Sequence, residues 1–362
     1  MPALRAPFPY FGAKRLIANQ VWQAIGDVAS YCEPFAGSAA VLLARPGGAG
    51  RIETINDLSG HVCNFWRAVK HHHAGLLSLA DQLDYPVIEI DLHSRHRWLV
   101  AREESLKAEM DADPDACDVK AAAWWAWGLS AWIGSGWCSP RGARWDARPH
   151  LTDTGVGVHG RTLSTQVPHL SSTGAGVLAR SLVEKLPSIA DSGKGTHSRR
   201  TPLETVIDDL AARIRRVRVL CGDWRRVVTP AALCNGPKLA NGRVGLFLDP
   251  PYLAEADGKK RTMGLYGKED SADVAAEAAA WARSAAEEHP TWRIVLAGYE
   301  GEHDMPGWEV VAWDTSTGLW GSGGYGRKAG NDAEANTARE RLWLSPACDK
   351  PSRRGQELFA WA

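Results

Sequence analysis

The sequence predicts an α/β protein built on a doubly wound, mostly parallel sheet with an antiparallel edge. Three observations carry this. Short apolar strands alternate with helix-patterned stretches at both ends of the chain, the arrangement that parallel strands joined by helical crossovers require. Several strands stop on turn residues beside a carboxylate, in "CEPFAG", "INDLSG", "CGDW" and "LDPPY". The last strands, "WEVVAW" and "ERLWLSP", are expected to pair as the antiparallel edge.

Taken in order, "ASYCEPFAGSAAVLLA" reads as strand, tight turn and helix. "RIETINDLSGHVCNFWRAVK" reads as a second strand ending near Asn56-Asp57, then an amphipathic helix. Val62, Phe65, Trp66 and Val69 fall at the helical spacing, with Asp57 or Ser59 as the cap. The triplet His71-His72-His73 is expected at a solvated helix end. Residues 75 to 130 read as mainly helical, ending in the tryptophan-rich "AAAWWAWGLSAWIGSGW". From about 134 to 204 the texture turns to Gly, Ser, Thr, Arg and Pro, too long for a connecting loop and therefore a functional insertion or a partly disordered segment. Alternation then resumes with the helix "LETVIDDLAARIRRV", the strands "RVLCGDW" and "VGLFLDPPY", the helix "DVAAEAAAWARSAAEEH" and the strand "WRIVLAGYE".

Composition narrows the function classes. With 362 residues there is ample material for a core, and a formal net charge of zero gives no global field for nucleic acid, so any basic surface must be local. No apolar run approaches membrane-spanning length, which argues against secretion and membrane insertion and for a cytoplasmic protein. Seven scattered cysteines without a Cys-x-x-Cys pair fit free thiols rather than a disulfide frame or a zinc site. Seventeen tryptophans are mostly expected in the core, with some placed to stack on bases or on a cofactor ring.

The strand ends carry the chemistry, because ligands of open α/β sheets bind beyond the carboxyl ends of the strands. Pro34, Phe35 and Gly37 make a turn into a helix, and a glycine there lets the backbone approach a ligand. Asp57 lies about 20 positions later, near the offset at which an acid holds ribose hydroxyls. Asp223 and Trp224 end a third strand with a carboxylate beside a ring. Each alone reads more often as an ordinary turn or a cap; their common placement points to a nucleoside-type cofactor. Asp249-Pro250-Pro251-Tyr252 is more specific. Proline ends the ladder, and the residue before it is held extended, which fixes where Asp249 points. The Asp249 carboxylate and the Pro250 carbonyl can accept the two N–H groups of an exocyclic aromatic amine, and Tyr252 can stack on its ring.

On these residues the sequence resembles the Dam-like, D12-class DNA adenine N6-methyltransferases, which use S-adenosylmethionine. "PFPYFGAKRLI" is similar to the family's N-terminal cofactor motif, which places Tyr10 and Lys14 at the cofactor. "YCEPFAGSAAV" resembles its Glu-Pro-Phe-x-Gly-x-Gly segment, covering Glu33, Pro34, Phe35, Ala36 and Gly37, with Ala39 in place of the second glycine. The resemblance puts Asp57 on the ribose, Asp223 and Trp224 near the cofactor adenine, and makes Asp249 to Tyr252 the catalytic motif, with Asp249 also facing the cofactor. "RERLWLSP" resembles the closing strand.

The resemblance implies a Rossmann-like catalytic domain in two parts, residues 1–74 and 205–362, around an inserted target-recognition region at 75–204. It implies transfer of a methyl group from S-adenosylmethionine to the amino group of an adenine flipped out of double-stranded DNA, by direct attack and without a metal. A monomer is expected. Transfer to cytosine N4 or to RNA, and a catalytically inactive DNA-binding relative, are the alternatives. For DNA contact the candidates are Arg141, Arg144, Trp145 and Arg148, then Lys194, Arg199 and Arg200, then Lys259, Lys260 and Arg261. Each set reads also as an ordinary solvated loop.

Overall fold

The structure, a computed structural model, describes residues 4, 6–8, 10, 14–78, 89–131, 137–138, 197–233, 243–256, 259–262, 272–312 and 339–350. Helix α1 spans Ala18–Ile25, β1 Ser30–Glu33, α2 Ala40–Leu43, β2 Ile52–Asp57 and α3 Gly60–Ser78. Two further helices follow, α4 at Glu89–Ala112 and α5 at Val119–Ala131. The chain returns with α6 at His197–Ile214, β3 at Arg218–Cys221, a 3-10 turn at Trp224–Arg226 and β4 at Val244–Leu248. It ends with β5 (Leu253–Ala256), β6 (Lys259–Thr262), α7 (Ala272–Glu288), β7 (Arg293–Tyr299), β8 (Glu309–Ala312) and β9 (Glu340–Leu344).

Seven strands form one sheet in the order β3-β2-β1-β4-β7-β9-β8, and β5 and β6 form a separate antiparallel pair. The run from β3 to β7 is parallel throughout. Strand β9 lies antiparallel between β7 and β8, so the expected antiparallel edge is present. This is a mixed, mostly parallel, Rossmann-like sheet. Every residue of β1, β4 and β7 is buried, as strands covered on both faces must be. Edge strand β8 is largely exposed.

Two apolar layers cover the sheet. On one side α1, α3, α5 and α6 bring Ile25, Phe65, Trp66, Trp127 and Ile214 against it. On the other, Ala278 and Ala282 of α7 pack with Trp224, Trp292 and Trp343. The four positions read from the sequence as the buried stripe of α3, Val62, Phe65, Trp66 and Val69, are all at most 1% exposed. The histidine triplet lies at a solvated helix end, as expected: His71 and His72 are exposed, and at His72 (φ −132°, ψ 31°) one helical run ends and a second begins across a kink within α3. His72 contacts the Asp115 carbonyl at 3.2 Å, a tertiary partner that local pattern does not encode.

A buried ion cluster ties the halves together. Glu53 on β2 receives both guanidinium nitrogens of Arg213 on α6, at 2.7 and 3.0 Å, and that of Arg45 at 3.3 Å. Arg213 also donates to the Leu42 carbonyl at 2.7 Å, and Arg45 to that of Val28 at 2.7 Å. With its acceptors satisfied this way, a carboxylate can be buried without an uncompensated charge.

Candidate active site

From β1 the connections run outward in opposite directions, to β2 and β3 on one side and to β4 and β7 on the other. Such a switch point leaves a crevice beyond the carboxyl ends of the two central strands. Here a cavity of about 400 Å³ lies there, lined by residues that include Glu33, Gly37, Asp57, Asp223 and Asp249.

The turn after β1 forms its floor. Gly37 has φ +49°, and a Cβ at this position would sit 2.3 Å from Cε1 of Tyr10, so the glycine both permits the left-handed turn and makes room for the ring. The Gly37 amide donates to Asp57 Oδ2 at 2.9 Å, and its carbonyl accepts from Trp66 Nε1 at 2.9 Å. This accounts for the 20-residue offset between Gly37 and Asp57: parallel pairing of β1 with β2 brings the two turns side by side. Asp57 Oδ1 accepts from the Ser59 amide at 2.9 Å, so its carboxylate braces both turns. Burial pushes its pKa up, against the pull of those amides. Ser59 Oγ faces the Val62 amide at 3.5 Å, a long contact at the first turn of α3.

Ala39 also has positive φ, at +49°, and caps α2 from the left-handed region while fully buried. The position thus demands the geometry in which glycine is free and alanine is strained by about 1–2 kcal/mol.

At the end of β4, Asp249 follows Leu248 and the prolines follow at once. Asp249 Oδ1 receives Lys14 Nζ at 2.9 Å and the Tyr252 hydroxyl at 2.9 Å. Both contacts fall on one oxygen. Lys14 Nζ also lies 4.7 Å from the centre of the Tyr252 ring, and Tyr299 packs edge-on against that ring at 5.0 Å. Two further carboxyls stand near this group. Glu33 accepts from the Tyr31 hydroxyl at 2.9 Å and from the Leu42 amide. Burial first, with the Asp249 charge adding to it, raises Glu33 to about 8. Glu340 on β9, paired in register with Tyr299, is raised to about 8 by burial and by Asp249, with Lys14 opposing. Tyr299 is itself pushed up to about 12 by burial and the facing Glu340.

At the other end of the cavity Asp223 caps the 3-10 turn, accepting from the Arg225 amide at 2.8 Å and pairing with its guanidinium at 2.7 Å. Arg225 continues to Glu277 on α7. Phe35 and Trp224 pack together with ring centres 5.7 Å apart. Asn56 donates to the carbonyls of Pro34 and Gly222, at 3.0 and 2.9 Å, and so fixes the turns after β1 and β3 to each other.

Residues 10–104 match the model of the D12 class N6 adenine-specific DNA methyltransferase family. No curated protein gives a significant match. The segment that matches this methyltransferase family holds Tyr10, Lys14, Glu33 to Gly37 and Asp57; Asp223, Trp224 and Asp249 to Tyr252 lie beyond it. All of these sequence-selected residues are brought together except Pro250, which is buried at the turn and is not among the lining side chains, and Tyr252, which reaches the cavity through Asp249.

Sequence reasoning missed several lining residues. Val100, Glu103, Glu104 and Lys107 on α4, and Trp125 and Leu129 on α5, form a wall of the cavity. An apolar stripe shows that such helices are buried, not which turn of them faces a ligand. Glu340 was missed because β9 enters the site only through its antiparallel insertion. Arg141, Arg144, Trp145, Arg148 and Lys194 lie outside the described residues. Arg199 and Arg200 fall in α6, and Lys259, Lys260 and Arg261 in β6, with only their backbone described.

Among the described residues, no group of three metal-ligating side chains occurs, and no helix is long and apolar enough to cross a membrane.

Proposed function

We propose that the chain is a site-specific DNA adenine N6-methyltransferase that transfers a methyl group from S-adenosylmethionine to an adenine flipped out of the duplex. The observation that carries this is the state of Asp249. Its Oδ1 is held by Lys14 and Tyr252, while Oδ2 has no protein hydrogen bond among the described residues and the side chain lines the cavity. A fixed carboxylate with one open oxygen, next to the Pro250 carbonyl, is what an exocyclic amino group needs.

The residues present fit the cofactor. At the Gly37 floor the missing side chain lets the Tyr10 ring lie against the turn, and both residues line the cavity. Trp224 lines the cavity, and its buried Nε1, without a partner among the described residues, is a donor for a ring nitrogen of a base once the ring turns toward it. Asp57, Glu103, Glu104, Asp223 and Asp249 outnumber Lys14, Lys107 and Arg225 in the lining, a balance that suits a cationic donor. Asp57 and Asp223 would hold the ribose and adenine, and Tyr10, Lys14, Phe35 and Gly37 the remainder. When bound, S-adenosylmethionine supplies an electrophilic methyl group on a positively charged sulfur.

The chain's part is positioning. Asp249 and the Pro250 carbonyl accept the two amino protons, which localises the nitrogen lone pair and aims it. Tyr252 holds the carboxylate and offers a ring face to the base, and Lys14 pairs with Asp249 at 2.9 Å and fixes its Oδ1. Holding both reactants in line contributes the larger share of the rate. Residues 75–204 are assigned to target recognition, with α4 and α5 closing the cofactor cavity from that region.

The test is to incubate the protein with S-adenosylmethionine and unmethylated duplex DNA and to identify modified nucleosides by mass spectrometry, with Asp249→Ala alongside. N6-methyladenine from the wild type alone is expected. N4-methylcytosine, or product only with RNA, would reassign the acceptor. Undiminished activity of Asp249→Ala would refute the role of the carboxylate.

A further inference from the structure

Two cysteines far apart in sequence meet beneath the cofactor cavity. Cys63 lies in the first turn of α3 and Cys221 at the end of β3. Strand pairing places Cys221 opposite Asp57, and Cys63 Sγ lies 3.3 Å from the Asp57 carbonyl and 3.1 Å from that of Leu220, the residue before Cys221. The two cysteines pack together in one small apolar cluster with Leu106 and Met110. Their exposure differs: Cys63 is 2% exposed, whereas Cys221 is half-buried and reachable by a small solute.

We propose that Cys63 and Cys221 form a dithiol modification site, closed to a disulfide by a peroxide, that reports redox state to the cofactor cavity. Cys63 carries one proton and has three acceptors around it, two carbonyls and the Cys221 sulfur. A thiolate at Cys221 takes that proton most strongly, and this donation, with Lys107 nearby, holds the Cys221 thiol below its ordinary range while burial holds Cys63 above it. A partly exposed, thiolate-biased cysteine beside a buried partner is the arrangement of an attacking and a resolving thiol.

The step balances as follows. The Cys221 thiolate attacks one oxygen of hydrogen peroxide, the O–O bond breaks, hydroxide leaves and Cys221 becomes a sulfenic acid. The Cys63 sulfur then attacks the Cys221 sulfur, the S–S bond forms, the S–O bond breaks, and the Cys63 proton leaves with the hydroxyl group as water. Two thiols lose two electrons and two protons, and the peroxide is reduced to water.

The consequence reaches the cavity because Cys63 loses the proton it shares with the Asp57 carbonyl. Asp57 braces Gly37, and Gly222, next to Cys221, is tied to both Asp57 and Asn56. Cross-linking therefore pulls on the floor and on the Asp223 end together. That coupling rests on the cofactor reading above; formation of the disulfide does not.

The experiment is titration of the folded, full-length protein with hydrogen peroxide, followed by peptide mass mapping under non-reducing conditions. A Cys63–Cys221 cross-link that forms before Cys117, the other half-buried thiol among the described residues, is modified, and that dithiothreitol reverses, is the expected result. Prior oxidation of Cys117, or no cross-link, would overturn the proposal. In Cys63→Ser the reaction should stop at a sulfenic acid on Cys221, trapped by dimedone. If that variant does not fold, the wild-type map still decides. Calorimetry with S-adenosylhomocysteine should show about tenfold weaker binding to the oxidised form. Equal binding by both forms would overturn the coupling alone; no binding by the reduced form would sink the cofactor reading and leave the disulfide result standing.

Discussion

Replacing Glu33 by glutamine isolates the electrostatic load at the centre of the site. Glu33 is fully enclosed at the end of β1, and its pKa in the folded chain stands at about 8 against an ordinary 4.5. The folded state therefore holds a proton that the unfolded chain releases across that window. Stability associated with this group is fully present below about pH 4.5 and is lost as pH rises through about 8. One proton of difference corresponds to about 1.4 kcal/mol per pH unit, or about 5 kcal/mol over the whole window as an upper figure. Glutamine keeps an Oε1 that can accept from the Tyr31 hydroxyl and the Leu42 amide, and it cannot ionise. The other raised carboxyls, Asp57 and Glu340, are present in both proteins and cancel in the difference. Urea unfolding, followed by the fluorescence of buried tryptophans such as Trp66 and Trp127, should be run from pH 5 to 9. Glu33→Gln is expected to match the wild type within about 1 kcal/mol at pH 5 and to gain on it by about 1 kcal/mol per unit above that, levelling beyond pH 8. Parallel stability curves would refute the reasoning, because they would mean that Glu33 is ionised in the folded state or that the site is wet.

Gly37→Ala meets a left-handed backbone and the Tyr10 ring together, and should cost about 1–2 kcal/mol from the backbone alone and weaken S-adenosylhomocysteine binding at least about tenfold in calorimetry; unchanged binding would show that the turn is not the cofactor floor. Ala39→Gly sets relief of about 1–2 kcal/mol of strain against loss of a buried methyl worth about 0.8 kcal/mol and the greater freedom of unfolded glycine. Urea midpoints within about 1 kcal/mol of wild type are expected, and a gain above about 2 kcal/mol would show that the strain is larger than the geometry implies. Arg213→Ala leaves Glu53 with Arg45 as its remaining guanidinium partner in the cluster and should destabilise by about 3 kcal/mol, at the lower end for a broken buried pair; a loss below about 1 kcal/mol in urea would mean that Arg45 alone suffices.

The parts of the fold that were legible in the sequence are those written in local chemistry. Pro250 and Pro251 end β4 because they cannot continue a ladder, Gly37 marks a turn only glycine makes freely, and the stripe from Val62 to Val69 has one period and one meaning. The Gly37–Asp57 pairing was legible as a spacing, although its cause, a parallel register, is tertiary. What could not be read depends on elements distant in the chain. Lys14 meets Asp249 across 235 positions, Glu340 arrives on an antiparallel strand, and Cys63 finds Cys221 through the order of the sheet. The His71–His73 triplet was legible in part: it marks where one helical run ends, but that a second run continues α3 beyond the kink is not local information.

The position of β4 also bears on how the chain is made. Strand β1 ends at Glu33, yet one of its two sheet neighbours, β4, begins only at Val244. At ribosomal speeds of about 5–20 residues per second, roughly 10–40 s pass between the emergence of the two. Throughout that interval β1, every residue of which is buried in the finished fold, presents an open row of amides and carbonyls on one side. Such an edge is a template for pairing with another nascent chain. The strand that makes the site's crevice is thus also the point at which a growing polypeptide is most exposed to aggregation, and crowding of translating ribosomes or a shortage of holdase chaperones should reduce the yield of folded protein before any mutation does.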